Sequence, residues 1–251
     1  MQLHKYLDFA VNHIDDIIIY SKNEKEHVKH VKSVLKALTS VNLTLNPKKC
    51  HFFAIRLPVL GFWMEVGGLR PNVNKVFNML EWQRPDTQKK IQKLMGLLNF
   101  FRRSVLHFSD IAAPIMAIKK KRFNWHEEEG AEQAYVNLYK QLVTSKPFVS
   151  FPLEGVELNL STNASDHAIE ATLFQVVEGE VFFLGFNSRL LKDAEKRYSV
   201  LKKELKSIVY HMHYYRDWLR GRTFNLFTDA KSLTEIFKEL DKPNRNATLV
   251  S

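Results

Sequence analysis

Two adjacent aspartates, Asp15 and Asp16, lie between two runs of strand-forming residues, and this feature constrains the fold most. The first run is residues 9–14 (Phe-Ala-Val-Asn-His-Ile) and the second is residues 17–20 (Ile-Ile-Ile-Tyr). Because aspartate tolerates the backbone angles of a tight turn, the pattern predicts a β-hairpin connected by the two aspartates. At the hairpin tip their mutual repulsion favours a bound cation, and hard oxygen ligands suit Mg²⁺. The alternative is that Asp-Asp is simply favourable turn chemistry.

The charge balance favours a polyanionic partner. The 251 residues carry a formal net charge of +10 with a pI near 9.5, and such an excess suits phosphate neutralisation. The alternative is a protein that merely happens to be basic. Cys50 is the only cysteine, so a disulfide framework is excluded and a reducing compartment is favoured. With neither a bilayer-length apolar stretch nor a signal-peptide pattern, we expect an intracellular protein, cytoplasmic or nuclear, without a membrane partner.

Pro85 marks the predicted boundary between a first region and a helical one. A helix opening at Thr87 should direct its apolar residues inward, namely Ile91, Leu94, Met95, Leu98 and Phe101. Before the boundary, Asn23 is expected to cap a helix, and a second helix is expected through Val76, Met79 and Leu80. The predicted domains are residues 1–84, 85–152 and 153–251.

Basic side chains concentrate in the middle region. They are Lys89, Lys90, Lys93, Arg102, Arg103, Lys119, Lys120, Lys121 and Arg122. The last four form a dense positive loop, for which a solvated turn and a phosphate contact are equally good interpretations. As a set, these residues are the candidates for nucleic-acid binding.

The last region has a different pattern, with several strands before its long helix. Alternation over residues 156–161 predicts a half-buried strand, and Glu178-Gly179 predicts the turn of a hairpin. A long helix is predicted from about Ala194 to Leu219, with an apolar stripe of Leu201, Leu205, Ile208 and Met212. A strand at residues 224–227 then ends at Thr228-Asp229. The order β-β-β-α-β-α predicts a mixed sheet flanked by helices.

Two ordered sets of motifs carry a family resemblance. The first set is residues 13–21 (His-Ile-Asp-Asp-Ile-Ile-Ile-Tyr-Ser), 45–50 (Leu-Asn-Pro-Lys-Lys-Cys), 60–62 (Leu-Gly-Phe), 94–103 (Leu-Met-Gly-Leu-Leu-Asn-Phe-Phe-Arg-Arg) and 123–125 (Phe-Asn-Trp). The second set is residues 162–166 (Thr-Asn-Ala-Ser-Asp), 188–190 (Ser-Arg-Leu), 195–198 (Glu-Lys-Arg-Tyr), 203–205 (Lys-Glu-Leu), 208–209 (Ile-Val) and 228–229 (Thr-Asp). Together they resemble the Pol polyprotein of Ty3/gypsy-type LTR retrotransposons, in which ribonuclease H follows reverse transcriptase.

The resemblance implies a fold of the α/β (α+β) class. A partial reverse-transcriptase palm with a helical thumb/connection would precede a ribonuclease H-like mixed sheet. For the polymerase, the family's metal ligands match Asp15 and Asp16. A third aspartate would come from an earlier strand, which we expect this chain to lack because it begins shortly before the hairpin. His13 replaces the family's usual tyrosine.

For the ribonuclease, the resemblance implies catalytic and metal-binding roles for Glu204 and Asp229. Asn163 stands where the family has an aspartate that bridges two metal ions, and Glu170 stands where it has glycine. A neutral amide offers one weak oxygen in place of a carboxylate, so Mg²⁺ binding should be weakened. Glu204 could alternatively be a helix-surface acid. The chain is also expected to stop before the family's last strand, helix and acidic ligand.

The sequence therefore supports three hypotheses. The first is a retroelement-derived fragment whose inherited role is RNA-directed DNA synthesis and cleavage of RNA in hybrids, with both activities impaired. The second is a non-enzymatic basic module that binds RNA–DNA hybrids, DNA or RNA. The third is an interaction protein adopted by a host. Hybrid cleavage and the salt dependence of binding discriminate among them.

Overall fold

The computed structural model describes residues 6, 8–13, 16–72, 84–144 and 149–240. The chain divides into two compact units, residues 1–57 and 58–251, while the sequence-based three-domain division stays a prediction. The strands are β1 (Ala10–His13), β2 (Asp16–Ile19), β3 (Arg56–Val59), β4 (Phe62–Glu65), β5 (Gly68–Pro71), β6 (Val149–Ser150), β7 (Leu158–Ala164), β8 (Ala168–Val177), β9 (Glu180–Leu190) and β10 (Phe224–Phe227).

Helices lie between groups of these strands along the chain. They are α1 (Glu24–Ser40), α2 (Gln88–Phe100), α3 (Phe108–Ala117), α4 (Ala131–Thr144), α5 (Asp193–Lys196), α6 (Val200–Tyr214), α7 (Arg216–Leu219) and α8 (Lys231–Leu240). The helix predicted through residues 76–80 lies outside the described residues. Among the helices that are described, none has both the length and the apolar character needed to cross a membrane.

The first unit contains the predicted hairpin, and its second strand begins one residue earlier than expected. β1 and β2 are antiparallel, and His13 pairs with Asp16. The expectation of a turn at Asp15–Asp16 is therefore wrong at Asp16, which is the first residue of β2. Side-chain alternation along β2 explains this register. Ile17 and Ile19 pack on the core that contains buried residues of α1, and Asp16 is left exposed.

Cap chemistry and apolar spacing explain the two long helices that the sequence predicts before the last region. Asn23 caps α1 by accepting a hydrogen bond from the Glu26 N–H at 3.0 Å, and Thr87 caps α2. In the second unit, α2 packs with α3 and α4 around one core. The residues that the sequence directs inward are all buried there, namely Ile91, Leu94, Met95, Leu98 and Phe101.

The last sheet has the strand order β10-β7-β8-β9. β7, β8 and β9 are antiparallel neighbours, and β10 joins β7 in parallel, which confirms the predicted β-β-β-α-β-α order. Glu178 (φ 51°) and Gly179 (φ 83°) form the predicted turn between β8 and β9. Two consecutive positive φ angles are what a tight hairpin of this kind requires.

The long helix predicted from about Ala194 to Leu219 is wrong in two respects. It consists of three helices, α5, α6 and α7, and Ser199 caps α6. Its predicted apolar stripe is also mostly outside, since Ile208 is buried but Leu201 and Leu205 are exposed, as is Met212. The buried face of α6 is instead largely polar and includes Lys203, Glu204, Ser207 and His211. This polar face packs on β7 and β8, where the candidate site lies.

Candidate functional site

Glu204 is a buried carboxyl at the centre of the candidate site. It is 2% exposed, so a surface role on α6 is excluded. Its Oε1 accepts a hydrogen bond from the Ala164 N–H at 2.9 Å, while Oε2 has no hydrogen-bond partner. Burial, then the negative charge of Asp229 and more weakly that of Glu170, raise the pKa of Glu204 to about 7. Glu204 is therefore partly protonated near neutral pH.

Asn163 lies at the end of β7 and faces its cross-strand partner Glu170 on β8. Its Oδ1 accepts a hydrogen bond from the Ala164 N–H at 2.7 Å. The buried Ser207 hydroxyl on α6 is shared between the carbonyls of Asn163 (2.9 Å) and Glu170 (3.1 Å). Strand pairing and α6 therefore bring Asn163, Glu170 and Glu204 together, with Asp229 near enough to act on Glu204.

His107 engages the Glu170 carboxylate. Its Nδ1 lies 2.7 Å and 2.8 Å from the two carboxylate oxygens, and the Glu170 side chain is 13% exposed. His107 directly precedes α3, so this contact joins the helical region to the last sheet. Sequence reasoning missed it, because the partners are 63 residues apart. The one available signal was the carboxylate at Glu170 in a place where the family has glycine.

Further polar contacts dock the same helical segment on the sheet and on α6. Arg103 Nε donates to the Tyr214 hydroxyl at 3.0 Å. The Ser109 N–H donates to Ser188 Oγ at 3.0 Å, and Ser188 Oγ donates to Ser109 Oγ at 2.9 Å. A cleft between segment and sheet is lined by Val105, Leu106, His107, Ser161, Thr162, Asn163, Glu170, Ala171, Thr172, Phe186, Asn187 and Ser188. Residues 105–107 therefore line the same cleft as Asn163.

We expect Ser188→Ala to lower the free energy of unfolding by about 1–3 kcal/mol, because it leaves the buried Ser109 N–H without an acceptor. Urea unfolding measures the change. Ser232→Ala, at an exposed serine on α8, is the matched control and should lie within about 0.5 kcal/mol of wild type. Equal stability of the two variants would show that the hydrogen bond from Ser109 N–H to Ser188 Oγ does not stabilise the fold by the expected amount.

The donor set does not fit a pair of divalent ions. Within the described ranges, no three His, Cys, Asp or Glu side chains come together so that they could hold a metal ion. Asn163 is neutral and accepts a backbone hydrogen bond, and Glu170 is engaged by His107. Glu204 has one unpartnered oxygen, and a proton competes with a cation for it near neutrality because its pKa is about 7. Two-ion hydrolysis needs several anionic oxygens to share.

The hairpin aspartates occupy the first unit. Asp16 is an exposed residue at the start of β2, and Asp15 lies outside the described residues. Their predicted metal-binding and catalytic roles stay predictions.

The predicted nucleic-acid-binding residues differ in their surroundings. Arg102 donates to Ser109 Oγ at 3.0 Å and lies over the Phe108 ring, and its burial lowers the pKa of its guanidinium. Arg103 bonds to Tyr214, as described above. The lysines Lys90 and Lys120 form salt bridges with Asp86 and Glu128. Exposed positions without a salt bridge to a described residue are held by Lys89, Lys93, Lys119, Lys121 and Arg122.

Two family models match the chain in the order that the motifs predict. Residues 2–64 match the model "Reverse transcriptase (RNA-dependent DNA polymerase)". Residues 155–250 match the model "RNase H-like domain found in reverse transcriptase", which includes Asn163, Glu204 and Asp229. The chain thus matches a reverse transcriptase model in its first part and an RNase H-like model in its last part.

Similar proteins of known identity are transposon polyproteins. The Transposon Tf2-3 polyprotein of Schizosaccharomyces pombe is 31% identical over 227 residues, which is 89% of this chain and 17% of the polyprotein. The Transposon Tf2-7 polyprotein of the same organism is 30% identical over the same share of each chain. The chain therefore spans about a sixth of the length of the curated relatives it matches.

Solved structures with a similar fold include proteins of foamy virus. A foamy viral protease-reverse transcriptase dRH in complex with double-stranded DNA has a TM-score of 0.81 at 20% identity, over 98% of this chain and 43% of that one. The protease-reverse transcriptase in complex with an RNA/DNA hybrid has a TM-score of 0.78 at 20% identity, over 98% and 33%. These similarities confirm the predicted α/β (α+β) fold class.

Proposed function

We propose that this chain is part of a Ty3/gypsy-type Pol polyprotein. In this proposal it binds RNA–DNA hybrids, DNA and RNA inside the cell, in the cytoplasm or nucleus, while its RNase H-like domain cleaves hybrids poorly. The observation on which the proposal depends most is the environment of the neutral Asn163 side chain. Where the family resemblance implies a metal-bridging aspartate, this neutral side chain accepts a backbone hydrogen bond and faces a glutamate already engaged by His107.

Electrostatics around Glu204 support a weak ribonuclease centre. A carboxyl with a pKa of about 7 must release its proton before it can bind a cation at neutral pH, and its second oxygen is buried. Asp229 alone cannot supply the bridging oxygens that two Mg²⁺ ions share. The fold is thus retained for binding and orientation, and the charge needed for hydrolysis is reduced.

The polymerase role is proposed for the longer polyprotein. There, Asp15 and Asp16 of the hairpin would act as Mg²⁺ ligands in RNA-directed DNA synthesis. The β1–β2 pairing supports this role, because it holds Asp16 at a fixed strand position beside His13. A rigid hairpin is a suitable support for ligands that must keep a set geometry.

Nucleic-acid partners are supported by charge and by the similar structures. The net charge of +10 suits a phosphate backbone through counterion release. Two of the foamy viral proteins are named as complexes with double-stranded DNA and with an RNA/DNA hybrid. We extend both ligand classes to this chain as part of the proposal.

Binding and cleavage measured on one preparation test the proposal. We expect fluorescence anisotropy to show affinity for an RNA–DNA hybrid that falls steeply as salt rises, because phosphate contacts dominate. Cleavage of the same hybrid with Mg²⁺ or Mn²⁺ should be at least about 100-fold slower than by an intact ribonuclease H, since one bridging carboxylate is missing. Salt-independent binding would refute the partner class, and turnover near that of the intact enzyme would refute the impaired centre.

A further inference from the structure

Three paired residues form one row across the last sheet, and two of them hold the segment that leads into α3. Asn163 on β7 pairs with Glu170 on β8, which pairs in turn with Ser188 on β9. Directly paired residues of antiparallel strands point to the same face of a sheet. Glu170 is engaged by His107, and Ser188 is engaged by Ser109. The start of α3 therefore lies over this face of the sheet, beside Asn163.

His107 makes its contact from an uncommon backbone conformation. Its φ of 55° and ψ of 30° lie in the left-handed region, which residues other than glycine adopt only rarely, although histidine tolerates it better than most. Such conformations persist where surrounding contacts hold them, and they cluster at switch regions and ligand clamps. Here the Glu170 carboxylate holds the imidazole, whose Nδ1 lies 2.7 Å and 2.8 Å from its two oxygens. Loss of this contact would leave the strained residue free to relax.

The helix α3 is anchored to the sheet more firmly than the segment in front of it. The Ser109 N–H donates to Ser188 Oγ in a buried contact, and Ser165 Oγ, between β7 and β8, donates to Asp110 Oδ1 at 3.1 Å. The His107 side chain, by contrast, is 50% exposed. A contact that solvent reaches opens more readily than a buried one. The residue that closes on Glu170 is therefore attached to a fixed helix but is itself able to open.

Leu106 and His107, which we name the cover, line the same cleft as Asn163 and Glu170. Both cover residues are exposed, and they lie between the buried Val105 and α3. We propose that the contact between His107 and Glu170 is an autoinhibitory one, which keeps the cover closed so that the backbone of an RNA–DNA hybrid reaches Asn163 only when it opens. This inference rests on the proposed function and adds to it a barrier to cleavage that is independent of the metal ligands.

A thiol inside the cleft reports whether the cover is closed. The reporter is Thr172→Cys in a Cys50→Ser background, because Thr172 lines the cleft and Cys50 is the only cysteine of the chain. The labelling rate with a bulky maleimide measures access, since covered thiols react slowly. In this background, His107→Gly removes the imidazole and suits the left-handed backbone, and Glu170→Ala removes the carboxylate. His126→Ala, at another exposed histidine, is the matched control.

We expect His107→Gly and Glu170→Ala each to speed labelling of the reporter thiol by at least about tenfold, since each removes a hydrogen bond to a charged group. The double variant should label no faster than either single one, because both changes remove the same contact. His126→Ala should label at the rate of the reporter protein itself. Urea unfolding checks that each variant is folded, and either single variant suffices if the other is not. Unchanged labelling in a folded variant would overturn the cover.

An RNA–DNA hybrid added to the same proteins separates this inference from the proposed function. Anisotropy reports binding, and the reporter thiol reports whether the cleft is occupied. At about ten times the dissociation constant, the hybrid should slow labelling of the Glu170→Ala variant about tenfold, because only the free protein reacts. A bound hybrid that leaves this rate unchanged would overturn the cleft as its entrance, while the proposed function stands. Fast labelling of the variants without any hybrid binding would overturn the proposed function and the assigned ligand, and would leave the closed cover standing.

Discussion

Asn163→Asp is expected to raise the rate of RNA–DNA hybrid cleavage by about 100-fold or more in the presence of Mn²⁺ or Mg²⁺. The substitution adds a carboxylate to the acidic groups near Glu204, at the end of β7 where the Asn163 amide now accepts the Ala164 N–H. A hard cation is held by the number of charged oxygens around it. The several kcal/mol of charge stabilisation that a bound cation supplies correspond to a rate change of this size.

The control for this prediction is Asn163→Gln, which changes the side chain at the same position but keeps a neutral amide. It should cleave no faster than wild type. Calorimetric titration with Mn²⁺ provides a readout that is independent of turnover, and the aspartate variant should bind the ion more tightly than either neutral variant. If the aspartate and glutamine variants have the same rate and the same Mn²⁺ affinity, the neutral amide is not what impairs the centre.

Local patterns predict much of this fold because they act within a few residues. The helix α2 follows from the Thr87 cap and from apolar side chains such as Leu98 at helical spacing, all of which the structure confirms. The Glu178-Gly179 turn follows from a local backbone requirement. The hairpin of β1 and β2 was predicted for the same reason. Its turn position was not, because packing of Ile17 and Ile19 on α1 sets the register.

The candidate site depends on distant partners, which is why only part of it could be predicted. Family motifs located Glu204, Asp229 and Asn163 in the sequence. Nothing local indicates that His107 would reach Glu170, or that the Ser109 N–H would need Ser188. The orientation of α6 was predicted incorrectly for a related reason. Its apolar residues Leu201 and Leu205 outweigh its polar ones in the periodicity, yet the polar residues are the ones that pack on the sheet.

Glu204→Gln is expected to make the protein more stable than wild type at pH 8, by up to about 3 kcal/mol. Glu204 has a pKa of about 7 in the folded protein, against an ordinary value of 4.5 for a glutamate. The folded state therefore binds the proton more tightly. The contribution of Glu204 to stability is fully present below pH 4.5 and is lost as pH rises through 7. Each pKa unit corresponds to about 1.36 kcal/mol, and a neutral glutamine has no such loss while its Oε1 still accepts the Ala164 N–H.

The measurement is the difference in unfolding free energy between Glu204→Gln and wild type, from urea titrations at pH 5 and pH 8 in EDTA. The comparison with wild type is needed because the titration of His211 changes the free energy of unfolding with pH in the opposite direction. Burial lowers the pKa of His211 to about 4, so its contribution to stability grows as pH rises towards 6.5. This second slope is common to both proteins and cancels. Glu154→Gln, at an exposed carboxylate, should follow wild type at both pH values. If the stability difference between Glu204→Gln and wild type is the same at pH 5 and pH 8, burial does not raise the pKa of Glu204. The competition between a proton and a cation at Glu204 would then no longer support the proposal of a weak ribonuclease centre.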